Sequence, residues 1–129
     1  MNVIDENVTE DQKRLLQDRR VRVRQIGSDV GEQGMGDDDV IALLHSLPRN
    51  TFFTRDSDFF SQDLRHANYC LVNLAVANND VAEYVVRFLR HSKFSTQAKR
   101  SGVVAQAGYT GIRFWAPGPQ DEQHAGWDE

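Results

Sequence analysis

The stretch Cys70-Leu71-Val72-Asn73-Leu74-Ala75-Val76 is apolar at every position but one. A short run of this kind is typical of a strand buried on both faces, as in a parallel sheet covered by helices. A second strand pattern precedes it at 51–54, and a helix pattern opening on Asp80 follows it at 81–91. The run therefore predicts the centre of an α/β sheet.

Strand and helix patterns also alternate through the first half of the chain. Residues 21–26 alternate strictly between apolar and polar, which is the period of a half-buried strand. The remaining predicted elements are strands at 2–5, 103–106 and 111–115, and helices at 8–20, 37–47 and 96–101. This order predicts a mainly parallel sheet with helices on both faces.

Length and charge bound the organisation of the chain. A chain of 129 residues predicts one domain, which we place at 1–115, followed by an acidic, mobile tail at 116–129. The tail holds four acidic residues and no Lys or Arg, so the body carries 15 basic and 15 acidic residues. The net charge of -4 therefore does not exclude a nucleic-acid partner.

Other function classes are disfavoured by what the composition lacks. A single cysteine, Cys70, permits no intramolecular disulfide and no all-cysteine metal site. The apolar runs are far shorter than the roughly 20 residues of a membrane span, and no leader pattern opens the chain. We therefore expect a cytoplasmic protein with no membrane partner.

Four acidic residues occupy comparable places in the predicted pattern. Asp5 ends the first strand, Asp37 begins the second helix, and Asp56 and Asp58 follow the strand at 51–54. Carboxylates gathered at one sheet edge suit Mg²⁺ or Mn²⁺, which prefer oxygen ligands. Acids at strand ends and helix starts are also ordinary capping residues, so spacing alone leaves both interpretations open.

Three segments together resemble a known family. They are Ile4-Asp5-Glu6-Asn7, Gly36-Asp37-x-x-Val40-Ile41 and Phe53-Thr54-Arg55-Asp56-Ser57-Asp58-Phe59. In order and spacing they are similar to the short PIN-like nucleases, whose signature is D-E-N, an Asp opening the second helix, and T-R-D-x-D-F. That family is related to the VapC-type toxins of toxin–antitoxin pairs, and the likeness covers about residues 3–76.

The resemblance implies a three-layer α/β/α PIN-like domain that cleaves RNA with Mg²⁺ or Mn²⁺. Its catalytic acids would be Asp5, Asp37, Asp56 and Asp58, with Asp5, Asp56 and Asp58 as metal ligands. Asp38 and Asp39 compete with Asp37 for its role. The implied partners are an RNA substrate and a cognate antitoxin, and we also consider a homodimer.

Four further residues are candidates for binding substrate. Thr54 and Arg55 adjoin the acids and would hydrogen-bond a carboxylate or a phosphate, with Asp58 an alternative partner for Arg55. Arg22 and Arg24 share one face of the alternating strand, where they would bind an RNA backbone or an acidic peptide, or act as a solvated edge.

Three other functions fit parts of the same pattern. Asp56-Ser57-Asp58 after a strand is similar to the D-x-D of haloacid-type phosphatases, although D-E-N is then unexplained. A receiver-like phosphoacceptor domain fits the acids loosely but not the alternating Arg strand. A catalytically weak or inactive PIN-like module that binds a partner protein is the main alternative to the nuclease.

Overall fold

Seven strands form one sheet in the computed structural model, which describes residues 1–119 and 121–128. The strands, in chain order, are β1 (Asn2–Ile4), β2 (Arg24–Gln25), β3 (Asn50–Thr54), β4 (Tyr69–Ala75), β5 (Val104–Gly108), β6 (Gly111–Trp115) and β7 (Gln123–Ala125). The α-helices are α1 (Glu10–Asp18), α2 (Asp37–Ser46), α3 (Val81–Arg90) and α4 (Gln97–Arg100). The protein therefore has the predicted α/β class.

The sheet is parallel in its first part and antiparallel at its end. Its spatial order is β2-β1-β3-β4-β5-β6-β7, and the pairings from β2 to β5 are parallel. The strand β6 runs antiparallel to β5, because Tyr109 and Thr110 reverse the chain in a tight connection, and β7 runs antiparallel to β6. The sheet is thus mixed rather than parallel throughout.

Helices cover both faces of the sheet. The neighbouring residues Phe52 and Phe53 of β3 point to opposite faces and belong to two different hydrophobic clusters. The Phe53 cluster includes Leu16 of α1 and Val85 of α3, whereas the Phe52 cluster includes Leu44 of α2. Burial on both faces explains why β4 is apolar almost without alternation, and every residue of β3 is likewise buried.

The edge strand β2 is shorter than the strand predicted at 21–26. Arg20 adopts a left-handed conformation with φ of 60°, which turns the chain just after α1. The carbonyl of Arg22 then accepts a hydrogen bond from the side chain of Asn2 (3.2 Å). Regular pairing with β1 is confined to Arg24 and Gln25.

The fold continues beyond residue 115, where the sequence predicts the start of a mobile tail. Residues Gln123–Ala125 form β7, and Ala125 is buried against β6. The indole Nε1 of Trp127 donates to the carbonyl of Gly108 (2.7 Å). The apolar residues of this segment therefore extend the core, while Gln120 and Glu129 of the predicted tail lie outside the described residues.

Candidate functional site

The carboxyl ends of β1 and β3 bring Asp5 and Thr54 together. The two strands are parallel neighbours with Ile4 opposite Phe53, so the next residue of each strand lies at the same edge. The hydroxyl of Thr54 donates to Oδ2 of Asp5 (2.6 Å), and the backbone N–H of Glu6 donates to Oδ1 (2.8 Å). Both oxygens of Asp5 are thus held in place.

The same hydroxyl also holds the loop that carries Asp56 and Asp58. Thr54 Oγ1 accepts a hydrogen bond from the backbone N–H of Asp56 (3.0 Å). Oδ1 of Asp56 in turn accepts from the backbone N–H of Asp58 (2.9 Å), which begins the short 3-10 turn Ser57–Phe59. A fully buried threonine therefore couples the D-E-N segment to the T-R-D-x-D-F segment.

Asp37 is the first residue of α2, and this end of the helix lies near the same edge of the sheet. The preceding loop packs closely on that helix at Gly31, where φ is +62° and a Cβ atom would lie 2.8 Å from Leu43 Cδ2. Only glycine fits such a left-handed position against a neighbouring side chain without strain. The loop is thereby held against the middle of α2.

One carboxylate oxygen from each of Asp37, Asp56 and Asp58 lies within 4.8 Å of the others, and all three residues are exposed. Asp38 and Asp39 are not in this group, so Asp37 is the residue of its run that meets the two loop acids. Asp5 is also outside the group, although the sequence predicts it as a metal ligand.

The electrostatics of Asp37 reflect this crowding. Its pKa is raised, first by desolvation and then by the negative charges of Asp56, Asp58 and Asp5. Like charges disfavour the ionised form of a carboxyl group. Asp5 therefore acts on Asp37 through its charge, as Asp38 also does.

The donor set fits a hard divalent cation. Three carboxylates offer the oxygen ligands that Mg²⁺ and Mn²⁺ prefer, with waters completing the shell. Opposite ligands of one octahedral Mg²⁺ lie about 4.2 Å apart, twice the roughly 2.1 Å bond length. The three oxygens already lie within 4.8 Å of one another, so small rotations of these exposed side chains would let them share one ion.

Arg55, predicted to contact substrate or Asp58, turns toward the end of β4. Its Nε donates to the carbonyl of Val76 (3.0 Å). Its side chain lines a surface recess with Ala77 and Tyr109. The hydrogen bond to the backbone fixes the guanidinium near the end of β4 without neutralising its charge.

Arg22 and Arg24 lie apart from the acids. They line a basic pocket of about 870 Å³ with Met1, Lys13 and Arg20, among others. Arg24 pairs with Val3, so this pocket lies beside the amino-terminal half of β1, whereas the acids lie beyond its carboxyl end. The structure therefore does not bring the two predicted groups together.

Sequence reasoning missed a row of polar side chains that crosses the sheet from Thr54. Register places Thr54 beside Asn73, Asn73 beside Gln106, and Gln106 beside Arg113. The signal was the single polar residue, Asn73, in an otherwise apolar run. It is 2% exposed, and its Oδ1 accepts from Gln106 Nε2 (2.8 Å).

Cys70 plays no part in this chemistry. Burial raises the pKa of its thiol to about 12, so it stays protonated at neutral pH.

Within residues 1–119 and 121–128, no helix has both the length and the apolar character of a membrane crossing. No family model, curated protein or solved structure matches this chain.

Proposed function

We propose that this protein is a metal-dependent ribonuclease with a PIN-like α/β/α domain, the toxin of a type II toxin–antitoxin pair. The observation that carries the proposal is the meeting of Asp37 with Asp56 and Asp58 at the sheet edge where Thr54 holds Asp5. These acids belong to the three segments whose order resembles the PIN-like signature. Capping alone does not account for like charges gathered from separate elements.

Each residue has a distinct role in this proposal. Asp56, Asp58 and Asp37 hold the cation, and Asp5 adds negative charge from its fixed position beside them. A bound Mg²⁺ or Mn²⁺ would polarise a phosphate oxygen and lower the pKa of a coordinated water. Thr54 keeps the acids in register, and the exposed guanidinium of Arg55 attracts the RNA backbone.

A cleavage assay tests the nuclease directly. Purified protein is incubated with end-labelled single-stranded and structured RNAs, with Mn²⁺ or with EDTA. We expect cleavage only with the metal, and a loss of at least about 100-fold in Asp5→Asn and Asp56→Asn, since each removes charge from the site. Asp39→Asn, on the same turn as Asp37 but outside the cluster, is the matched control.

Two outcomes would overturn this assignment. Full cleavage by both Asp5→Asn and Asp56→Asn would show that the chemistry lies elsewhere. No metal-dependent cleavage of any RNA would favour the alternative, a PIN-like module that binds a partner protein without catalysis.

The toxin role has a separate test in living cells. Expression of the wild-type chain is expected to arrest bacterial growth, and Asp56→Asn is expected to abolish the arrest. Co-expression of a small neighbouring gene that encodes the cognate antitoxin should restore growth. Unimpaired growth with a cleavage-competent protein would remove the toxin role and leave the ribonuclease.

A further inference from the structure

A second concave surface opens one to three strands away from β3, over the carboxyl ends of β4 and β5 and the start of β6. It is a cleft of about 650 Å³. Its floor is formed by Ala75, Gly108 and Gly111, which lie side by side in register on one face of the sheet. Because these residues carry at most one methyl group, the floor is flat and presents backbone and Cα surface.

The cleft has a polar wall one row further along the strands. Gln106, Arg113 and His124 lie side by side across β5, β6 and β7 and line the cleft. Nη1 of Arg113 donates to Oε1 of Gln106 (3.2 Å), and Arg113 also pairs with Glu122. These contacts fix the planar groups of Gln106 and Arg113 before any ligand binds.

The side-chain amide of Gln106 is suited to forming hydrogen bonds with the polar edge of a ligand. Among the described residues, one of its two donors is bonded to Asn73 and its oxygen accepts from Arg113. A primary amide has two donors and two acceptor lone pairs. It thus keeps one donor and one lone pair for a ligand that needs both.

The cleft is connected to the acidic site. The polar row from Thr54 through Asn73 and Gln106 reaches Arg113, about 14 Å away at roughly 4.8 Å per strand. The guanidinium of Arg113 lies 5.2 Å from the ring centre of Phe60, two residues beyond Asp58. A strand of RNA that crosses this edge of the sheet would contact both the acidic cluster and the cleft.

We propose that this cleft binds an unstacked base of a single-stranded RNA whose backbone also passes the acidic site. The inference rests on the proposed nuclease function. A flat apolar floor fits the face of a planar ring, and a paired donor and acceptor fit its edge. Tyr109, 53% exposed at the rim, offers a further aromatic surface for stacking. A phosphate group alone would use neither the flat floor nor the amide.

The test is a nuclear magnetic resonance titration in EDTA, where no cleavage occurs. The ¹⁵N-labelled protein is titrated with the four ribonucleoside monophosphates and, separately, with ribose 5-phosphate. We expect the side-chain amide of Gln106 and the backbone amides of Gly108 and Gly111 to shift with at least one nucleotide but not with ribose 5-phosphate. Equal shifts with ribose 5-phosphate, or shifts confined to other surfaces, would overturn the base-binding role.

Gly108→Val fills the cleft with little risk to the fold. A Cβ atom at Gly108 would lie 3.7 Å from the carbonyl oxygen of Ala75, an ordinary contact, whereas one at Gly111 would lie 2.7 Å from that of Ala125. We expect Gly108→Val to weaken nucleotide binding at least tenfold. Gln123→Val, exposed in β7 and outside the cleft, should bind as wild type.

Different results would overturn the nuclease proposal and the base-binding proposal. Shifts in the cleft of a protein that cleaves no RNA would overturn the nuclease and leave a base-binding surface. Metal-dependent cleavage by Gly108→Val with an unchanged KM for short single-stranded RNA would overturn the cleft and leave the nuclease. An unchanged nucleotide affinity in Gly108→Val would likewise overturn the cleft.

Discussion

Thr54 is the residue on which the order of the acidic edge depends. It is fully buried, yet its hydroxyl donates to Asp5 and accepts from the backbone N–H of Asp56. A buried hydroxyl with both functions used stabilises the structure, because neither partner is left unsatisfied. The neighbours of Thr54 stabilise its arrangement, whereas the acidic neighbours of Asp37 disfavour the ionised form of its carboxyl group.

Substitutions at Thr54 can distinguish the contribution of its hydroxyl group from that of its branched shape. Thr54→Val keeps the branched side chain but leaves Asp5 and the Asp56 N–H without this partner, so we expect a loss of about 1–2 kcal/mol in the free energy of unfolding. Mn²⁺ affinity, measured by titration calorimetry, should also fall. Thr54→Ser keeps the hydroxyl and should restore the affinity, while an unchanged affinity in Thr54→Val would contradict the positioning role.

The raised pKa of Asp37 makes stability depend on pH. The folded state holds this proton more tightly than the unfolded chain, so metal-free stability falls as pH rises from the ordinary value of 3.8 through the raised pKa. We expect Asp37→Asn to gain stability relative to wild type over that window, by urea unfolding at a series of pH values. A gain of the same size in Asp39→Asn would show that the effect is not specific to the cluster.

At the scale of elements, the carboxyl-terminal strand is part of the packed structure. The ring of Trp127 lies 5.5 Å from that of Tyr84 in α3, and its indole N–H is bonded to β5. His91, at the end of α3, is hydrogen-bonded to the carbonyl of Gly126 (2.8 Å). These contacts hold β7 along β6, beside the cleft, so the cleft needs this segment.

Trp127→Ala is expected to loosen β7. The ring is only partly buried, so the loss should be about 2 kcal/mol, below the roughly 3–5 kcal/mol typical of a fully buried aromatic residue. Hydrogen exchange should speed up at the paired residues Ile112 and Ala125. Gln123→Ala, exposed in the same strand, should change neither measurement; slow exchange in Trp127→Ala would contradict the anchoring role.

At the scale of the whole molecule, the acids and the basic residues lie on different surfaces. The acidic cluster lies beyond the carboxyl ends of the parallel strands, whereas the pocket with Arg22 and Arg24 lies beside their amino-terminal half. The net charge of -4 therefore says little about how either surface meets a charged ligand. A bound divalent cation would relieve the repulsion within the cluster.

Metal binding should therefore appear as thermal stabilisation of the full chain. A ligand that binds only the folded state at 100 times its Kd contributes about 2.7 kcal/mol. For a chain of this size we expect a rise in Tm of about 10 °C with saturating Mn²⁺, by differential scanning calorimetry. Asp56→Asn should lose most of the rise, and an equal rise in wild type and Asp56→Asn would place the ion elsewhere.

The sequence alone determined the α/β class, the central strand and the three acid-bearing segments, because periodicity and turn residues act over a few positions. It did not determine β7, since a short strand next to Pro117 and Pro119 looks like a tail until Ala125 and Trp127 have a surface to bury. It also pointed to Asp37 with Asp38 and Asp39 as competitors for the same role.

Only the tertiary structure decided which of these acids meets the loop carboxylates, how Thr54 joins two distant segments, and that Arg22 and Arg24 lie elsewhere. It also brought Gln106 and Arg113 into one row with Thr54. The physical reason is that a sheet sets long-range neighbours by strand order and register, which depend on how the whole chain buries its apolar surface.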